Sequence, residues 1–227
     1  MTVIVSVKIN DGIVMAADSV SSFPNGLSYQ HANKIVNLQK GLPIGAMVTG
    51  NGGIGNESIE TLLKDLRRRF SGLDSAHPDW KLDPNSYTME DVANKVREFI
   101  FTEKAQQFVG EVWMQIRICG YSAGRPLSEV WEVKLEGKAC NPPSKIQKEE
   151  DCAPMWDGEY EALNRLFFGI GANFVPTAVA QLGMTEEQAK EAHGKLIASM
   201  YQPMVAPQCQ FRMPLTWHVS WSKPRLA

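Results

Sequence analysis

Long apolar runs are missing from this 227-residue chain: no segment approaches the roughly eighteen consecutive apolar residues that a membrane-spanning helix needs. Cysteine is scarce, with Cys119, Cys140, Cys152 and Cys209 forming no CxxC pair and no metal-ligand spacing, so neither a zinc site nor a disulfide framework is indicated and free thiols in a reducing compartment fit better. Histidine is equally sparse. His31, His77, His193 and His218 are dispersed and lack the spacing of a ligand set. Charge of one sign is nearly absent as a feature, since the net charge is -2 and the one basic run, Arg67-Arg68-Arg69, reads as the solvated end of a helix, so no nucleic-acid footprint is expected. The start has no basic stretch followed by an apolar core and cleavage site, which makes a cytoplasmic location the expectation. No proline- or glycine-rich linker and no internal repeat interrupts the chain. With 44% hydrophobic residues, the length suffices for one substantial core, and a single domain over 1–227 is expected.

What is present begins at the first residues. Thr2 to Met15 is rich in β-branched residues and broken by Asn10-Asp11-Gly12, a turn signal between apolar runs, so it reads as a hairpin. Asp18 lies just past the second strand, sixteen residues after Thr2, and Lys34 lies sixteen after that. A threonine exposed by loss of Met1, with a carboxylate and a lysine at those distances, is a candidate N-terminal nucleophile. Threonine needs a base within hydrogen-bond reach. At a chain terminus it carries its own, an α-amino group with an ordinary pKa of about 8. Lys34 can lower that value as a neighbouring positive charge, and Asp18 can hold Lys34 charged and oriented.

Further along, Ser21 to Gln30 reads as a loop, Lys34 to Leu38 as a short strand and Ile44 to Val48 as an apolar strand. The glycine-rich bend from Gly50 to Gly55 precedes a helix over Glu57 to Phe70, with Ile59, Leu62, Leu63 and Leu66 on one face. Thr88 opens a second helix with Asp91 as its capping-box acid. Val112 to Cys119 and Val130 to Leu135 read as strands, Gly137 to Asp157 as a surface loop, and Leu163 to Phe168 as another strand. Two helices follow, Asn173 to Leu182 and a second capped by Thr185 that runs to about Tyr201, and Pro214 to Trp221 closes the chain as a strand. Strands, helices, strands, helices and a final strand define an α+β layered architecture.

The segments Thr2-Val3-Ile4-Val5-Ser6-Val7, Asp11-Gly12-Ile13-Val14-Met15-Ala16-Ala17-Asp18-Ser19 and Asn33-Lys34-Ile35 resemble the β-type subunits of proteasomes and their bacterial relative HslV. The resemblance resumes at Gly50-Asn51-Gly52-Gly53 and at Phe168-Gly169-Ile170-Gly171-Ala172-Asn173-Phe174. It implies a four-layer αββα sandwich of the N-terminal nucleophile hydrolase type and a threonine endopeptidase without a cofactor or metal. In it Thr2, Asp18 and Lys34 are catalytic and the Gly50 amide is the candidate oxyanion donor. It further implies that Ser22 presents backbone to an extended substrate, with Val20, Ala32, Val36 and Val48 as candidate lining of the side-chain pocket beside Thr2. Stacked homo-oligomeric rings, peptide or unfolded-protein substrates and an ATP-dependent unfoldase are the implied partners, with no nucleic acid and no membrane. The chain departs from the family pattern at Ile170, where active members place a serine between two glycines, and at Gln202 to Gln208, where a supporting aspartate and serine are missing. Two alternatives therefore stand beside the peptidase: a catalytically weak or inactive ring scaffold, and an N-terminal nucleophile amidase acting on a small amide.

Overall fold

The computed structural model describes residues 2–22, 28–200 and 220–222, and its chain divides into two compact units, Met1–Gly158 with Trp217–Ala227 and Glu159–Thr216. In the first unit β1 (Val3–Ile9) and β2 (Gly12–Ala17) form the expected hairpin, closing at the Ile9–Gly12 pair. The period of two puts Ile4, Ser6 and Lys8 on the buried face of β1. The short strands β3 (Ser21–Ser22) and β4 (Ser28–Tyr29) pair with each other. Then come β5 (Ile35–Asn37), β6 (Ile44–Gly50), the two-residue strands β7 (Gly53–Ile54) and β8 (Glu57–Ser58), and helix α1 (Ile59–Phe70). Helix α2 (Met89–Arg97) continues as a π-helical stretch over Glu98–Lys104. After it lie β9 (Val112–Gly120), β10 (Glu129–Gly137), β11 (Ala139–Cys140), β12 (Ser144–Gln147) and β13 (Pro154–Gly158).

These strands make two main sheets. One runs in the order β11-β10-β9-β6-β5, with β12 also on β10. The other places β1 between β13 and β2, and the last described strand, β14 (Ser220–Ser222), joins it along β2. Strand β6 reads as a continuous apolar run because both of its faces are covered. Ala46 and Val48 point with Ile116, Ile118 and Val133 toward Leu62, Leu66 and Phe70 of α1 and toward Val92, Val96 and Phe99. Met47 faces the other way and packs with Cys119 and Val130 against Ile4, Ile13 and Met15 of the hairpin sheet. The first unit is therefore three layers deep: helices, sheet, sheet.

Two expectations require correction. Gly137 to Asp157 is not a surface loop; it contributes β11, β12 and β13, the last pairing along β1 from Val3–Gly158 to Val7–Pro154. Its strands are short and lie at sheet edges, so they carry little of the apolar alternation that marks a strand in sequence. Leu163 to Phe168 is not a strand, because it belongs to helix α3 (Glu161–Phe168) of the second unit. Its apolar residues Ala162, Leu163, Leu166 and Phe167 fall at helical spacing, and Gly169 ends it in the left-handed region at φ 70°. Helices α4 (Phe174–Leu182) and α5 (Glu186–Met200) follow, the latter opened by a capping box in which Gln188 N–H donates to Thr185 Oγ1 and Thr185 N–H to Gln188 Oε1. The expected closing strand over Pro214 to Trp221 lies largely outside the described residues.

Candidate functional site

Thr2 immediately precedes β1, and what surrounds it is set by the hairpin. Asp18 follows β2 directly and extends the ladder by one step, its N–H donating to the Val3 carbonyl at 3.1 Å. That register turns its carboxylate back on the chain start, where Oδ1 accepts the Val3 N–H at 2.7 Å and Oδ2 the Val20 N–H at 3.1 Å. Lys34 Nζ reaches both carboxylate oxygens at 2.9 Å and also donates to the Val20 carbonyl. The Lys34 carbonyl in turn accepts the Val48 N–H at 3.2 Å, which ties the lysine to the large sheet. The Lys34 side chain is 7% exposed and that of Asp18 33%. Burial pushes the Asp18 carboxyl upward, but the hydrogen bonds from Lys34 and from the Val3 N–H outweigh it and hold the group below its ordinary 3.8.

This cluster brings Asp18 and Lys34 together and attaches both to the peptide group that joins Thr2 to Val3. The other side of Thr2 meets Gly158 of β13, whose φ is 85°. A Cβ at Gly158 would lie 1.9 Å from the Thr2 carbonyl oxygen and 3.5 Å from Thr49 Cγ2. Glycine is thus required twice over, for its conformation and for the space. The Gly158 N–H donates to Asp157 Oδ1 at 2.8 Å. Gly158 and Asp157 were not found from sequence; the one available signal was an Asp-Gly pair inside a stretch read as loop.

Gly50 ends β6 one residue beyond Thr49, exposed and at φ 93°. A Cβ there would sit 2.2 Å from the Trp113 carbonyl oxygen. Asn51 fixes this bend from both sides, donating its N–H to that carbonyl at 2.8 Å and accepting the Trp113 N–H on Oδ1 at 2.6 Å. Among the candidate substrate-binding residues, Val20 is 38% exposed, Ser22 lies on β3, and half-buried Ala32 donates its N–H to the Ser19 carbonyl. Val36 and Val48 belong to the helix-side core at 4% and 5% exposure, so their side chains pack there rather than on an open surface.

In the second unit Ile170 lies in the turn between α3 and α4. Glu161 organises that turn, accepting the Ala172 N–H at 2.8 Å and the Arg165 Nε–H at 2.8 Å. Gln202 to Gln208 lies outside the described residues. Among the described residues no group of three or more His, Cys, Asp or Glu is placed to hold a metal ion, and no helix is long and apolar enough to cross a membrane.

No protein-family model and no curated protein matches this sequence. Among solved structures the chain is similar to eukaryotic HslV from Trypanosoma brucei, with a TM-score of 0.39 and 13% identity over 88% of this chain and 94% of that one.

Proposed function

We propose that this chain is a threonine peptidase of the N-terminal nucleophile type, with Thr2 as nucleophile once Met1 has been removed. The observation that carries the reading is the Asp18 carboxylate, which grips the Lys34 ammonium and the Val3 N–H together. A buried lysine held in this way supplies a fixed positive charge beside the chain start. In the proposed reaction the Thr2 α-amine takes the hydroxyl proton as Oγ1 attacks the substrate carbonyl. The tetrahedral intermediate collapses as that proton passes to the leaving amine, giving an ester on Thr2. Water activated by the same amine then releases the acid. Lys34 keeps the amine unprotonated near neutral pH and favours the developing negative charge, while the Gly50 N–H is the candidate oxyanion donor.

The same reading takes the fold as a four-layer αββα sandwich of the N-terminal nucleophile hydrolase type. It also takes the active assembly as a stacked cytoplasmic ring that receives peptides or unfolded chains from an ATP-dependent unfoldase. Trp113, 57% exposed in the first unit, is a candidate ring contact. Sedimentation of the purified protein at micromolar concentration tests the assembly, and a monomer throughout removes the ring from the proposal.

The chemistry is tested by intact-mass measurement after treatment with a peptide electrophile selective for N-terminal threonine, with the adduct mapped by fragmentation. Loss of Met1 and an adduct on Thr2 that vanishes in Thr2→Ala is the expected result. A processed chain with no adduct overturns the peptidase and leaves the scaffold, the reading favoured by Ile170 in place of serine. Turnover of small amides without peptide cleavage selects the amidase.

A further inference from the structure

Asp157 of β13, its side chain 28% exposed, is a polar group that the proposed chemistry does not use. Ile4 of β1 pairs with Asp157, and Ile4 points into the layer between the two sheets. Asp157 extends its carboxylate into the same layer and meets the centre of the large sheet. Its Oδ2 accepts from the Gln115 side-chain amide and, at 3.4 Å, from Arg117 Nη2. Gln115 donates also to Glu132, so its amide bridges two carboxylates. Arg117 is 1% exposed, and its Nε and Nη1 have no hydrogen-bond partner among the described residues. A buried guanidinium so placed depends on nearby carboxylates for charge balance, and both it and Gln115 are fixed by strand β9 at the middle of the sheet.

The other oxygen of Asp157 is Oδ1. It accepts the Gly158 N–H, and Gly158 is the residue where a Cβ would lie 1.9 Å from the Thr2 carbonyl oxygen. One carboxylate therefore joins the rigid interior of β9 to the backbone that backs the proposed nucleophile.

We infer that Asp157, held by Gln115 and Arg117, is a positioning residue for Thr2: by fixing Gly158 against the Thr2 carbonyl it sets the placement of the terminal amine and hydroxyl from the side opposite Asp18 and Lys34. The inference rests on Thr2 being the nucleophile. Asp18 restrains the Val3 amide and Gly158 abuts the Thr2 carbonyl, so the two ends of one peptide group are located independently. Misplacement of a reacting group by about 1 Å costs on the order of a hundredfold in rate.

The test follows adduct formation on Thr2 against concentration of the peptide electrophile in wild type, Asp157→Asn and Gln115→Leu, reading the limiting rate constant, the half-saturating concentration and the final stoichiometry. A rate constant describes only molecules able to react, so a partly unfolded preparation lowers the stoichiometry and leaves the rate constant unchanged. The expected result is a limiting rate about tenfold or more lower in Asp157→Asn, and lower by a smaller factor in Gln115→Leu, with half-saturation unchanged. Wild-type limiting rates in both variants, or a change confined to half-saturation or stoichiometry, overturn the positioning role while leaving Thr2 as nucleophile. Failure of wild type itself to form the adduct after Met1 removal overturns the nucleophile and the positioning role together. Should Asp157→Asn not fold, Gln115→Leu decides alone, since it deletes the amide bridge and keeps the carboxylate.

Discussion

Asp18 does two jobs, one structural and one electrostatic, and they separate with pH. Its carboxyl is held below 3.8 in the folded protein, so folding favours the ionised form. A depressed pKa of this kind contributes stability that is fully present above the unfolded value and is lost as pH falls through the folded one. The melting temperature of wild type is accordingly expected to exceed that of Asp18→Asn by a constant margin from pH 5 to 7, about a unit or more above the ordinary carboxylate range. That margin narrows below 3.8. A margin that stays flat to pH 2, on the order of two units below that range, would mean that the Lys34 and Val3 contacts do not favour the charged form. Lys34→Ala tests the other job. The Asp18 carboxylate keeps its two backbone donors there, so the fold is expected to survive while the rate of Thr2 labelling falls by about 100-fold or more, the scale of removing one group that stabilises developing charge. The meeting of Asp18 and Lys34 at the chain start was legible in the sequence because a tight hairpin sets Asp18 beside Val3 and a short strand carries Lys34 back to it. Gly158 and Asp157 were not, because their strand pairs with β1 across most of the chain and carries no apolar alternation of its own.

At the scale of elements, legibility followed the strength of local signals. The start of the second helix was readable to the residue: Thr88 Oγ1 accepts the Asp91 N–H at 3.1 Å and donates to the Asp91 carboxylate at 2.7 Å, a cap that the Thr-x-x-Asp pattern announces. Thr88→Ala is expected to cost about 1 kcal/mol in urea unfolding with no effect on the Thr2 labelling rate. The sequence does not separate helix from strand at α3, because Leu163 to Phe168 is six residues with four apolar positions, short enough to serve as either, and the Gly169 stop fits both. The bend after β6 was seen as glycine-rich without its reason. Gly50 occupies positive φ with the Trp113 carbonyl where a side chain would stand. Gly50→Ala is therefore expected to destabilise by about 1–3 kcal/mol, the usual penalty of a strained backbone, and a change within 0.5 kcal/mol, about the scatter of ordinary surface substitutions, would show that the bend relaxes without cost.

For the molecule as a whole, the large sheet supports two cores with different neighbours. Phe70, fully buried, stacks near Trp80 at 6.4 Å between ring centres on the helix side. Met47, equally buried, packs against Ile4 in the inter-sheet layer and lies opposite Arg117 across the β6–β9 ladder. Truncation of either leaves a cavity, at about 3–5 kcal/mol for Phe70→Ala and 2–5 kcal/mol for Met47→Ala. Met47 falls in the apolar strand read from Ile44 to Val48, but the sequence could not say which face of the sheet it would take, because a strand buried on both sides loses the alternation that assigns faces. Function separates them. Strand β1 and the residues around Thr2 lean on the Met47 side alone, and protein interiors transmit small displacements to their immediate neighbours. Phe70→Ala is thus expected to lower the urea midpoint while the limiting labelling rate at Thr2 stays within about twofold of wild type, and Met47→Ala to lower both, the rate by several-fold, on the scale of sub-ångström misplacement. Equal slowing in the two variants would mean that the large sheet passes strain from one core to the other, and the inter-sheet layer would then hold no privileged relation to the site.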